Sequence, residues 1–122
     1  MTTVVIQVGN SDDKLTQVEW ADFVRSVRRV IGDKVLAHGG VIHLEGFPPA
    51  DARWQNACWI VNLPPSYNDA LMAAHALWQE LAYLAVRYGQ ESAAWLEGKT
   101  RFVTPGSAYI RDDAEARTWV VP

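Results

Sequence analysis

Apolar residues recur at two spacings along this chain, and each change of spacing marks an element. Val4-Val5-Ile6-Gln7-Val8 is a short β-rich run at the start. Side chains two apart on a strand share a face, so Val4, Ile6 and Val8 stand opposite Val5, Gln7 and Gly9. The run stops at the turn formers Gly9-Asn10-Ser11-Asp12-Asp13. Thr16 and Glu19 then have the spacing of a capping box, with Leu15 placed to pack on Trp20. Trp20, Phe23, Val24, Val27 and Ile31 follow at helical spacing, and Gly32 is the expected stop.

An extended stretch is expected from Val35 and Leu36, interrupted at His38-Gly39-Gly40. Val41 to Phe47 reads as a strand, with Ile42 and Leu44 on one face and Val41, His43, Glu45 and Phe47 on the other. Pro48-Pro49 opens a loop that also holds Arg53 and Trp54, because proline has no ladder donor. Asn56 to Leu63 is the most apolar strand. Ser66 and Asp69 repeat the cap pattern ahead of a second helix, from about Tyr67 to Tyr88. Its stripe reads Leu71, Ala74, Trp78, Leu81 and Ala85, broadened by Leu77, Leu84 and Tyr88, and it is expected to be the more buried helix.

Gly89 caps that helix. Ala93 to Leu96 is read as a strand, because Glu97-Gly98-Lys99 suits a hairpin into Thr100-Arg101-Phe102-Val103. Tyr109-Ile110 and Trp119-Val120-Val121 are short apolar pieces around a charged stretch. They suit an edge strand or, over residues 105–122, a tail that helps the protein assemble. The whole order is β-α-β-β-α-β within one domain, 1–122. Right-handed crossovers then give an α+β, ferredoxin-like sandwich: two helices on one face of a mainly antiparallel sheet, with extra C-terminal strands.

Composition narrows the function. An apolar fraction of 49% is enough for one hydrophobic core and too high for a disordered chain. The net charge of −3 argues against broad nucleic-acid binding. Cys58 is the only cysteine, so an internal disulfide and a multi-thiolate metal site are both excluded. No signal-type start and no membrane-length apolar run is seen, so a cytoplasmic protein is expected. Six tryptophans hint at a buried contact with a partner, since tryptophan is enriched at interface centres.

Three sets of residues carry candidate chemistry. The loop Gly9–Lys14 precedes a helix N-terminus, where free N–H groups favour anions. Lys14 there suits a phosphate, whereas Asp12 and Asp13, with Asn10, suit a hard divalent cation. The plainer alternative is a solvated turn. His43 and Glu45, two apart on one strand, form a possible acid–base pair or simply a wet sheet face. Trp54 suits stacking on a flat ligand or a partner's pocket, or folding back over the sheet end. Arg25, Arg28 and Arg29 make a small basic group on the first helix, and Cys58 is expected to be a buried, inert thiol.

No cofactor and no resident metal is implied. The expected function is an interaction module that uses strand-end loops and an exposed sheet face, with a protein partner or self-association as a homodimer or larger. The alternatives are a binder of a small phosphorylated or nucleotide-like ligand at Gly9–Lys14, and a metal-dependent phosphodiesterase using Asp12 and Asp13.

Overall fold

A computed structural model describes residues 2–10, 14–47, 55–91 and 93–99. The elements run β1 (Thr2–Gly9), α1 (Gln17–Ala37), β2 (Val41–Gly46), β3 (Asn56–Asn62), α2 (Tyr67–Arg87) and β4 (Ala94–Lys99). The sheet order is β2-β3-β1-β4, and every neighbouring pair is antiparallel. This is the expected ferredoxin-like β-α-β-β-α-β sandwich. The expected strand at 100–103 and the apolar pieces beyond it lie outside the described residues.

One face of the sheet and the inner faces of the helices make the core. Val4, Ile6 and Val8 of β1 and Ala57, Trp59 and Val61 of β3 point into it. Trp20, Phe23, Val24, Val27, Ile31 and Val35 close it from α1, and Ala73, Leu77, Leu81 and Leu84 close it from α2. Burying a side chain of this size contributes about 1.5–3 kcal/mol, so these stripes set the docking of both helices. Tyr88 ties the helices together at one end. Its ring packs on Phe23 at 5.0 Å, and its hydroxyl bonds Asp22 and lies 3.2 Å from Ser26 Oγ.

The start of α1 is as expected. Thr16 Oγ1 accepts from the Glu19 N–H, and the Glu19 carboxylate accepts from the Thr16 N–H. Those bonds hold the Glu19 carboxyl below the usual carboxylate range. Buried Leu15 supplies the staple residue ahead of the cap.

The end of α1 differs from expectation. The helix runs through Gly32 to Ala37. A helical glycine costs about 1 kcal/mol, but Val35, one turn beyond Ile31, is wholly buried and more than offsets that cost. His38-Gly39-Gly40 is therefore the helix terminus. Gly39 N–H donates to Leu36 and Gly40 N–H to Val35, with Gly39 at φ +83°, the Schellman pattern. Gly40 is needed for a different reason: an added Cβ would lie 2.7 Å from the Asn62 carbonyl oxygen, so the backbone there would have to shift. The second helix ends in the same way, with Gly89 at φ +65° and bonds from Gly89 to Val86 and from Gln90 to Ala85.

Two further expectations are corrected. The buried stripe of α2 is rotated from the expected one, leaving Leu71 and Trp78 more than half exposed. An alanine-rich helix with apolar residues on most of its circumference does not reveal which stripe faces the sheet. Glu97-Gly98-Lys99 is strand, not turn, and pairs with Val4, Thr3 and Thr2. Extending β4 this far satisfies the outer backbone of β1 along its N-terminal half.

Candidate functional site

The helices cover one face of the sheet and leave the other open. On the open face, pairing aligns one residue from every strand. Leu44 of β2 opposes Ile60 of β3, Ile60 opposes Val5 of β1, and Val5 opposes Leu96 of β4. These four form a continuous apolar row across the sheet. Ile60 and Val5 are half-buried by their neighbours, whereas Leu44 and Leu96 are 57% and 70% exposed at the two ends. Val41 adds exposed apolar surface beside the row. Among the described residues, register and pleat bring no Asp, Glu, Lys or Arg to this face.

A β-bulge puts Leu44 there. The pairing steps from Ile42–Val61 directly to Leu44–Ile60, so His43 is the extra residue. A bulge shifts the alternation by one. Ile42 therefore faces the core and Leu44 faces out, not the same way as expected. His43 and Glu45 are parted by the same shift. His43 joins the open face, where its Nε2 lies 2.5 Å from Asn62 Nδ2, and Thr3 Oγ1 donates to Asn62 Oδ1 at 2.9 Å. This hydrogen-bonded network borders the apolar row on one side. Gln7 lies on the row's other flank, opposite Cys58. Cys58 is half-buried rather than fully buried, and its thiol is free.

Glu45 turns to the helix side. It receives two bonds from Arg28 of α1, at 3.0 and 3.3 Å, and one from the Trp59 indole at 3.3 Å. The carboxylate holds the Arg28 guanidinium above its ordinary pKa through the hydrogen bonds and charge attraction. Arg28 also stacks over Phe47 at 5.5 Å. Part of the basic group on α1 is thus a structural clamp on the β2 edge, and Arg25 pairs with Asp22 at 3.4 Å.

Asn10 is a wholly internal pivot. Its side chain donates to the Leu15 carbonyl at 2.9 Å and to Gln55, and accepts from the Leu15 N–H at 3.0 Å. Its backbone N–H donates to the Gln55 carbonyl at 2.9 Å. Asn10 is 2% exposed, with both side-chain donors used to pin the β1–α1 and β2–β3 connections together. Lys14 is ion-paired to Glu91 at 3.6 Å. Asp12, Asp13 and Trp54 lie outside the described residues. Among the described residues no three His, Cys, Asp or Glu side chains gather as a metal set, and no helix is long and apolar enough to cross a membrane.

The row itself was missed in the sequence. One signal was available: Val41, Ile42 and Leu44 put apolar residues at both parities of a single short strand. A strand with one wet face would alternate.

No protein-family model and no curated protein matches the chain. Solved structures do. A dimeric ferredoxin-like protein from an uncultured marine organism superposes with a TM-score of 0.53 at 10% identity, covering 84% of this chain and 91% of that one. A protein of unknown function from Rhodopseudomonas palustris gives 0.47 at 13% identity, covering 84% of each chain. An amidase of the hydantoinase/carbamoylase family from Burkholderia multivorans gives 0.46 at 14% identity, over 80% of this chain and 26% of its own. At these identities the likeness is one of fold, and the first structure carries it.

Proposed function

We propose that this domain is a self-associating interaction module whose open sheet face docks on a second copy of itself. The observation that carries the reading is the uncharged row Leu44–Ile60–Val5–Leu96, which spans all four strands with its two ends in solvent. Interface cores are depleted of charge in the same way. A twofold axis near Ile60 and Val5 would lay the row across its own copy, so one patch serves both partners. Apolar residues at both ends of the row suit that antiparallel overlap. The fold is also similar to that of a protein that is dimeric.

The polar network Thr3–Asn62–His43 would lie at the edge of the contact. Hydrogen-bonded groups at a rim fix orientation more than they add affinity. The reading requires no reaction, and it rests on no residue of the Gly9–Lys14 loop.

Sedimentation equilibrium tests it. The wild-type chain is expected to have twice the mass of one chain at micromolar concentration. Leu44→Asp and Leu96→Asp each place a charge in the contact and are expected to weaken assembly by about thirtyfold or more, the loss of one hot-spot residue. Both side chains are already exposed in the single chain, so the fold tolerates the change. A monomeric wild type, or an unchanged mass in both variants, contradicts the reading.

A further inference from the structure

A second apolar surface lies on the other side of the molecule, independent of the sheet face. Where the end of α2 passes the start of β4, Trp78, Leu81, Ala85, Val86, Ala93 and Trp95 line a groove of about 350 Å³. Trp78 and Trp95 meet edge-on at 5.1 Å and form its wall. Trp78 is 55% exposed and Val86 81% exposed. The groove is at the small end of ligand-sized pockets, which run from ~300 to ~1,000 Å³. It fits a few side chains.

β4 lines one side of this groove. Among the described residues β4 pairs only with β1. The chain leaves β4 at Lys99, and residues 100–122 follow. We infer that Trp119-Val120-Val121 of the same chain occupies the Trp78–Trp95 groove.

Reach, tethering and composition support this occupant. The groove's β4 wall at Ala93–Trp95 lies roughly 15–20 Å back along the strand from Lys99. The stretch 100–118 spans up to ~60 Å when extended, so it returns easily. Pro105-Gly106, a pair of turn-favouring residues, comes early in that stretch. A tethered segment also acts at an effective concentration of about millimolar, so a weak three-residue contact is enough to hold it. The charged run Arg111 to Arg117 is unsuited to an apolar groove, whereas Trp119-Val120-Val121 is apolar throughout. Arg117, two residues before Trp119, would come near Glu91 at the groove's rim.

Disulfide trapping in the full chain tests the inference. In a Cys58→Ser background, Val86→Cys and Val120→Cys would be equilibrated with glutathione at high dilution. The control carries Val18→Cys on α1 in place of Val86→Cys. Both Val18 and Val86 are highly exposed, so neither cysteine disturbs the core. The groove pair is expected to bridge within one chain at least about tenfold more favourably than the control, a difference of about 1.4 kcal/mol. Adding Trp119→Ala is expected to remove that preference. Equal bridging in both pairs, a preference that survives Trp119→Ala, or bridging between chains at high dilution would overturn the inference.

Discussion

Trp59, Ile60 and Val61 are consecutive residues of β3, and the two faces of the sheet divide them. Trp59 and Val61 are wholly buried beneath the helices, whereas Ile60 lies in the open row between Leu44 and Val5. The side chains are similar in chemistry, and only the helix layer gives them different fates. Apolar surface on the covered face stabilises the single chain. Apolar surface on the open face adds little to that stability and is available for the proposed association. One face accounts for folding and the other for the proposed recognition.

Substitutions can sharpen this contrast. The largest effect is expected at the centre of the covered face. Trp59→Ala should destabilise the fold by about 3–5 kcal/mol, read as a drop in urea midpoint, because it opens a cavity and removes a donor from Glu45. Gly40→Ala comes next, at about 1–3 kcal/mol. It overpacks the seam where the end of α1 meets Asn62 and Val35. Thr16→Ala is expected to cost about 1 kcal/mol through loss of the α1 cap. The smallest effect belongs to the open face: Leu44→Ser should change the stability of the dissociated chain by no more than about 0.5 kcal/mol. A large loss there in the dilute monomer would break the contrast.

The cap also gives a pH dependence with a defined sign. Glu19 has a lowered pKa in the folded chain because it accepts from Thr16. Its contribution is therefore present above the unfolded carboxylate pKa and is lost as pH falls through the lower folded value. Urea titrations from neutral to acid pH should show wild-type stability falling faster than that of Glu19→Gln, which keeps an acceptor for the Thr16 N–H but cannot titrate, in the acid range. Parallel curves would count against the cap as the cause.

The architecture was legible because strong local signals agreed. The capping boxlike starts at Thr16 and Ser66, the apolar run of β3 and the order of periods lead directly to two helices on one sheet. The site was less legible for a physical reason. A single extra residue at His43 reverses the alternation, and nothing local to Val41–Phe47 forces a bulge there. That one shift moved Leu44 to the open face, moved Glu45 to Arg28, and separated the expected His43–Glu45 pair. Asn10 illustrates a different obstacle. Its residue type suits a ligand loop, but its partner Gln55 is 45 positions away and can be found only in the folded chain. The α2 stripe was misplaced for a related reason, since Leu71 and Trp78 are as apolar as the residues that are buried.

The most direct measurement is hydroxyl-radical labelling of the wild-type chain across a concentration series, read residue by residue. Leu44 and Leu96 are expected to lose reactivity as concentration rises, while exposed Val18 and Tyr67 on the helix side stay constant. Reactivity at Leu44 and Leu96 that is the same in dilute and concentrated protein would contradict a second copy on the open face.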